Sequence, residues 1–80
     1  MRARIDVTLK NGVLDPQGRA IASGLKTLGF DTVTDARQGK VIELDLDMTD
    51  KGEAQKQVEA MCEQLLANTV IERYSITLED

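Results

Sequence analysis

Val7-Thr8-Leu9-Lys10-Asn11-Gly12-Val13-Leu14-Asp15-Pro16-Gln17-Gly18 holds the end of a strand, a turn and the start of a helix. Val7 and Leu9 share one face of a strand, and Asn11-Gly12 is a turn pair that tolerates positive φ. Asp15 can accept hydrogen bonds from the orphan N–H groups of a helix. Pro16 at the first helical position loses nothing by lacking a donor. Upstream, Ala3, Ile5, Val7 and Leu9 alternate with Arg2, Arg4, Asp6 and Thr8, which predicts a half-buried strand over 2–9. Downstream, Ile21, Gly24, Leu25 and Leu28 form a helical stripe over 16–28. Gly24 on that stripe suggests close approach of the helix to a sheet. Gly29 suits the left-handed position after the helix, with Phe30 folding back on Leu25.

Two further strands are predicted over 32–37 and 40–47, joined by Gln38-Gly39. The second alternates cleanly, with Ile42, Leu44 and Leu46 facing in and Glu43, Asp45 and Asp47 facing out. The first breaks alternation, because Val33 and Ala36 are three apart, and Asp31, Asp35 and Arg37 make it a charged edge. Asp50-Lys51-Gly52-Glu53 resembles a capping box, opening a helix with Ala54, Val58, Met61, Cys62 and Leu65 on one stripe. Asn68 is placed to end it in a left-handed conformation, and 72–78 alternate again, with Tyr74, Ile76 and Leu78 inward. The order strand–helix–strand–strand–helix–strand predicts an α+β, two-layer sandwich over residues 1–80 as one domain. This is the βαββαβ ferredoxin-like plan, with a four-stranded antiparallel sheet and both helices on one face. That plan serves many unrelated functions and so decides none.

Composition narrows the function classes. A chain of 80 residues has a marginal core unless something else stabilises it, and a single cysteine allows no intrachain disulfide. With no histidine and one cysteine the usual zinc sites are excluded. Oligomerisation or a larger partner is the natural source of added stability. The net charge of −4 argues against nucleic acid as a partner. Phe30 and Tyr74 are the only aromatic residues, too few for a stacking platform. The N-terminal Met1-Arg2-Ala3-Arg4-Ile5-Asp6 lacks the apolar stretch of a signal peptide, and no apolar run reaches membrane-spanning length. Cys62, on the apolar stripe, reads as a buried, reduced thiol, and the chain as cytoplasmic.

No nucleophile–base pair can be assembled, and there is neither a Walker loop nor a GxGxxG run. Asp45, Asp47 and Asp50 read as a solvated strand face and a helix cap rather than a metal cluster. Arg37-Gln38-Gly39-Lys40 sets two cations around a tight turn, and Lys10 stands at the other turn. Such side chains beside exposed backbone N–H groups can hold a phosphate or a partner's acidic loop, although a solvated hairpin is the commoner role.

Leu9-Lys10, Gly12-Val-Leu-Asp-Pro-Gln-Gly18, Ala20-Ile21, Leu28-Gly29-Phe30, Arg37-Gln-Gly-Lys40 and Ile42-Glu-Leu44 together resemble the PurS-type small subunit of phosphoribosylformylglycinamidine synthase. Cys62-Glu-Gln-Leu-Leu-Ala-Asn68, Val70-Ile-Glu72 and Tyr74 continue the likeness, in order, to the end of the chain. Two positions depart from the pattern: Thr69 replaces a common proline, and Ala36 a larger aliphatic residue. The resemblance implies a non-catalytic subunit of a complex that makes formylglycinamidine ribonucleotide from formylglycinamide ribonucleotide, ATP and glutamine-derived ammonia in purine biosynthesis. It implies a homodimer or higher homo-oligomer bridging a large PurL-type synthetase and a PurQ-type glutaminase and supporting ammonia transfer. ATP and Mg are then used by the complex, with no cofactor, metal or catalytic residue expected in this chain. Lys10, Asp15, Arg37 and Lys40 are the candidate subunit-interface residues. The alternative is an ACT-like regulatory module binding an amino acid through Gly12 and Gly18. An acylphosphatase-like enzyme is disfavoured because no phosphate-loop pattern surrounds Asn11.

Overall fold

The computed structural model describes residues 1–80. In chain order they form β1 (Arg2–Leu9), α1 (Pro16–Thr27), β2 (Lys40–Asp45), α2 (Lys51–Met61) and β3 (Glu72–Glu79). The three strands make one antiparallel sheet in the order β2-β1-β3. The register puts apolar residues opposite one another: Ile5 faces Ile42 on one side and Ile76 on the other. Ala3 likewise lies between Leu44 and Leu78. A one-residue slip would turn every one of these side chains to the solvent face, so the alternation read from the sequence pins the pairing. On the polar face Arg2 bonds Glu43 and Asp45, each at 3.2 Å.

α2 packs against β3 on the apolar face. Asp50 Oδ1 accepts from the Gly52 and Glu53 amides at 2.9 and 3.3 Å, which starts the helix. Only this half of the expected capping box forms, since the Glu53 carboxylate accepts instead from Gln57. Val58 and Cys62 pack onto Ala3, Ile5 and Val7, and all five are at most 1% exposed. Ile42, Leu44, Ile76 and Leu78 are only partly buried.

The structure corrects four expectations. Residues 32–37 are not a strand, so the chain holds three strands rather than four. The segment lacks the period-2 pattern that would bury one face, and it carries Asp35 and Arg37. Second, α1 does not lie on its own sheet beside α2: Gly18 is its one buried residue, and it has no extensive packing against any strand. A Cβ at Gly24 would meet nothing within 4 Å, so that glycine serves no close approach within the chain. Third, α2 runs into a single π turn, Cys62–Leu66, in which the Ala67 amide bonds the Cys62 carbonyl at 3.1 Å. The extra residue per turn rotates the stripe, and Leu65 is 83% exposed instead of buried. Fourth, Asn68 is not left-handed, because no non-glycine residue has positive φ. Its side-chain oxygen accepts from the Val70 amide at 3.2 Å and shapes the turn into β3.

The C-terminus of α1 follows expectation. Gly29 has φ +98°, the Phe30 amide bonds the Leu25 carbonyl at 2.9 Å and the Gly29 amide the Lys26 carbonyl at 3.0 Å, which is a Schellman motif. The result is an elongated molecule, 48 × 26 × 14 Å with a radius of gyration of 16.0 Å. A compact chain of this length has a radius near 12 Å. Residues 13–38, carrying α1, form an arm beside a small sheet-and-helix body.

Candidate functional site at the base of the arm

The four candidate residues lie where the arm leaves the sheet and where it returns. β1 ends at Leu9, and the Lys10 amide bonds the Ile71 carbonyl at 2.8 Å, tying the outgoing chain to the start of β3. The turn closes with the Val13 amide on the Lys10 carbonyl at 3.1 Å, and Gly12 supplies the required φ of +86°.

Asp15 then bonds in two directions. Its Oδ1 accepts from the Gly18 amide at 2.8 Å, capping α1, and its Oδ2 accepts from the Gln38 amide at 2.9 Å. One carboxylate thus joins the outgoing helix to the returning segment. The Gln38 and Gly18 amides and the nearby Arg37 guanidinium all favour its ionised form, holding the Asp15 pKa below the ordinary 3.8. Arg37 ties the same two segments from the other side: its Nη2 donates to the Leu9 carbonyl at 2.7 Å and to the Lys10 carbonyl at 3.2 Å.

Glycine is required at two positions here. A Cβ at Gly18 would collide with the Ala36 carbonyl oxygen. One at Gly39 would lie 2.5 Å from the Val7 carbonyl oxygen. The segments therefore approach backbone to backbone. The Gly12 and Gly18 that an amino-acid-binding loop would use thus have conformational and packing roles in the chain itself.

The four candidate residues lie together at the base of the arm, but in two different roles. Asp15 and Arg37 are engaged within the chain. Lys10 and Lys40 are exposed and form no ion pair, leaving two free ammonium groups at this end of the sheet. Between the arm and the sheet lies a shallow cleft of about 570 Å³, with Val7 and Leu9 on its floor and Asp15, Gln38, Lys40 and Glu72 around it. No helix is long and apolar enough to cross a membrane.

Sequence reasoning missed the exposed Leu65 and Val70, 83% and 81% accessible, at the end of α2 and in the loop beyond it. The heptad-like spacing of Leu65 from Val58 signalled burial, and nothing in the string announces a π turn. Near them the Tyr74 hydroxyl donates to Glu63 at 2.8 Å, and this bond, with some desolvation, pushes the phenol up to about 12.

Residues 2–80 match the family model described as PurS, phosphoribosylformylglycinamidine (FGAM) synthase. The chain is 56% identical over 71 residues to the PurS subunit of that enzyme from Synechocystis, covering 89% of this chain and 71% of that protein. Among solved structures, Bacillus subtilis PurS superposes with a TM-score of 0.89 at 42% identity, covering 99% of this chain and 98% of that one. A chain in the structure of PurLQS from Thermotoga maritima gives 0.86 at 34% identity, covering 95% and 93% respectively. The elongated shape is thus shared with solved relatives, and the match leaves no element unaccounted for: the chain belongs to the PurS family, the small subunit of FGAM synthase, a ligase of purine biosynthesis.

Proposed function

We propose that this chain is the structural subunit that holds the large PurL-type synthetase and the PurQ-type glutaminase together, and so supports passage of ammonia from one to the other. The unbroken match over residues 2–80 carries the reading. It is supported by the relative found in a PurLQS structure and by the form of the molecule, an arm and a sheet with large uncovered apolar areas. The chemistry of the complex, including ATP and Mg, belongs on this reading to the partners, and its place is the cytoplasm.

The working form is a homodimer or a higher homo-oligomer of a single-domain chain. The free edge of β2 and the irregular segment 33–37 are the elements proposed to extend the sheet between copies, giving the four-stranded ferredoxin-like sandwich that one chain lacks. Lys10 and Lys40 are proposed to reach acidic groups of a neighbouring subunit, while Asp15 and Arg37 keep the arm in the position that presents them.

Reconstitution tests this function. Purified synthetase and glutaminase subunits are assayed with and without the chain for glutamine-dependent amidine formation, and in parallel with an ammonium salt. The proposal expects the glutamine-dependent reaction to require the chain and the ammonium-dependent one to need it less. A glutamine-dependent rate indifferent to the chain overturns it. Thermal-shift screening with amino acids separates the regulatory-module reading, which expects stabilisation in the absence of any partner.

A further inference from the structure

We propose that Asn11 is a site of spontaneous deamidation, converting to aspartate and isoaspartate, and that the isoaspartyl form loosens the base of the arm.

Asn11 and Gly12 are the two central residues of the turn that leaves β1. Gly12 has φ +86° and Asn11 a negative φ, which makes this a type II turn. Both residues are exposed. The Gly12 amide and the Asn11 carboxamide bond to nothing in the chain, while the groups around them are engaged. Gly12 has no β-carbon to shield its nitrogen, and nothing lies within 4 Å of where one would stand.

The chemistry needs only water. The Gly12 amide nitrogen gives up its proton to solvent and attacks Cγ of Asn11. The new N–Cγ bond closes a five-membered succinimide, and the Cγ–Nδ2 bond breaks, releasing ammonia. Water then opens the ring. Attack at Cγ gives aspartate, and attack at the Asn11 main-chain carbonyl gives isoaspartate, whose chain continues through Cγ. One water enters and one ammonia leaves, with no oxidation or reduction. Nucleophile and electrophile sit in adjacent residues, so the step is intramolecular. Bringing them together rotates the Asn11 backbone out of its type II conformation, which breaks a single hydrogen bond, Val13 amide to Lys10 carbonyl at 3.1 Å.

Asn68, the other asparagine, is held on every side. Its Oδ1 accepts from the Val70 amide at 3.2 Å, and its amide donates to Glu72 at 2.7 Å. Its carbonyl accepts from the Ile71 and Glu72 amides at 3.1 and 2.7 Å. The branched side chain of Thr69 crowds the nitrogen that would attack.

The Lys10 carbonyl gives the modification its consequence. It accepts from the Val13 amide and also from Arg37 Nη2 at 3.2 Å, one of the two bonds by which Arg37 braces the arm. An isoaspartyl link adds a methylene to the main chain inside a two-residue turn, so the Lys10 carbonyl and the Val13 amide no longer meet. It also sets a carboxylate beside the free ammonium of Lys10.

The test ages the whole chain at physiological temperature over neutral to mildly alkaline pH. Mass spectrometry follows the peptides that carry Asn11 and Asn68, and chromatography separates their aspartyl and isoaspartyl products. Asn11 is expected to convert at least about 10-fold faster than Asn68, with isoaspartate among the products and a rate that rises with pH. Asn11→Gln, which would have to close a six-membered ring, is expected to lower conversion at this position at least about 10-fold. Equal rates at the two asparagines, or aspartate as the sole product, overturn the site. The consequence is read by hydrogen exchange on isolated isoaspartyl chains beside Asn11→Asp, which carries the same charge on an unaltered backbone. The Val13 amide is expected to exchange at least about 10-fold faster in isoaspartyl chains, and to change by less than about 3-fold in Asn11→Asp. Unchanged exchange in the isoaspartyl form, or equal acceleration in both, overturns the loosening.

Discussion

At the scale of single residues, Asp15 has a larger part than a helix cap. Capping was legible in the sequence, because Asp15-Pro16 precedes an apolar helical stripe. The second bond, to the Gln38 amide 23 residues away, was not, since no local pattern encodes it. The consequence is a pH dependence with a definite sign. The folded pKa of Asp15 lies below 3.8, so its contribution to stability is complete above that value and is lost as pH falls through the lower folded value. Urea midpoints measured from pH 6 downward are expected to fall in acid. Asp15→Asn should be less stable at neutral pH and lose less on acidification. Parallel pH curves for the two proteins would contradict the assignment. Gly18 makes a complementary case. Gly18→Ala places a methyl group against the Ala36 carbonyl and is expected to destabilise by about 1–3 kcal/mol, with faster hydrogen exchange at the Gln38 amide. A neutral or stabilising effect in denaturant would show that the segments are not held that close.

At the scale of elements, strands with strict alternation were readable and the irregular ones were not. β1, β2 and β3 appear where period-2 patterns predict them, because each buries one face against α2 or its neighbours. Residues 32–37 had no such pattern and formed no strand. α2 was legible through Ala54, Val58 and Cys62, but its last turn was not. The π turn moved Leu65 outward, and a spacing rule that assumes 3.6 residues per turn cannot register an inserted residue. The Glu63–Tyr74 bond fastens that turn to β3 and gives a clean optical probe, since the chain has one tyrosine and no tryptophan. Alkaline titration at 295 nm is expected to show a midpoint of about 12, moving toward 10 in Glu63→Gln. The raised value means that this bond stabilises the fold fully below pH 10 and ceases to do so as pH rises through about 12. A midpoint near 10 in the unmodified protein would remove the bond from the account. In the core, Val58→Ala is expected to cost about 2 kcal/mol in chemical denaturation, a large share of what so small a body can hold. A loss of a few tenths would place Val58 outside the core. Cys62, fully buried and with its thiol raised above 9.0 by burial and by Glu63 and Glu59, should resist alkylation until the protein unfolds.

At the scale of the whole molecule, the decisive property is incompleteness. A marginal core was evident from 80 residues and a single cysteine, and the structure shows how the deficit is distributed: a body whose Ile42, Leu44, Ile76 and Leu78 stay only partly buried, and an arm whose helix buries Gly18 alone. The separation of α1 from its sheet could not be read from α1 itself. An amphipathic stripe states that a helix must be covered and not by which chain. The candidate interface residues were legible as charged groups at turns, and the division between two that brace the arm and two that remain free required coordinates. The most direct measurement is light scattering on size-exclusion fractions of the synthetase and glutaminase subunits mixed with and without this chain. The account predicts a complex containing both large partners only when the chain is present, with more than one copy of it per complex. Association of the two partners without it, or elution of the chain apart from both, would contradict the bridging role.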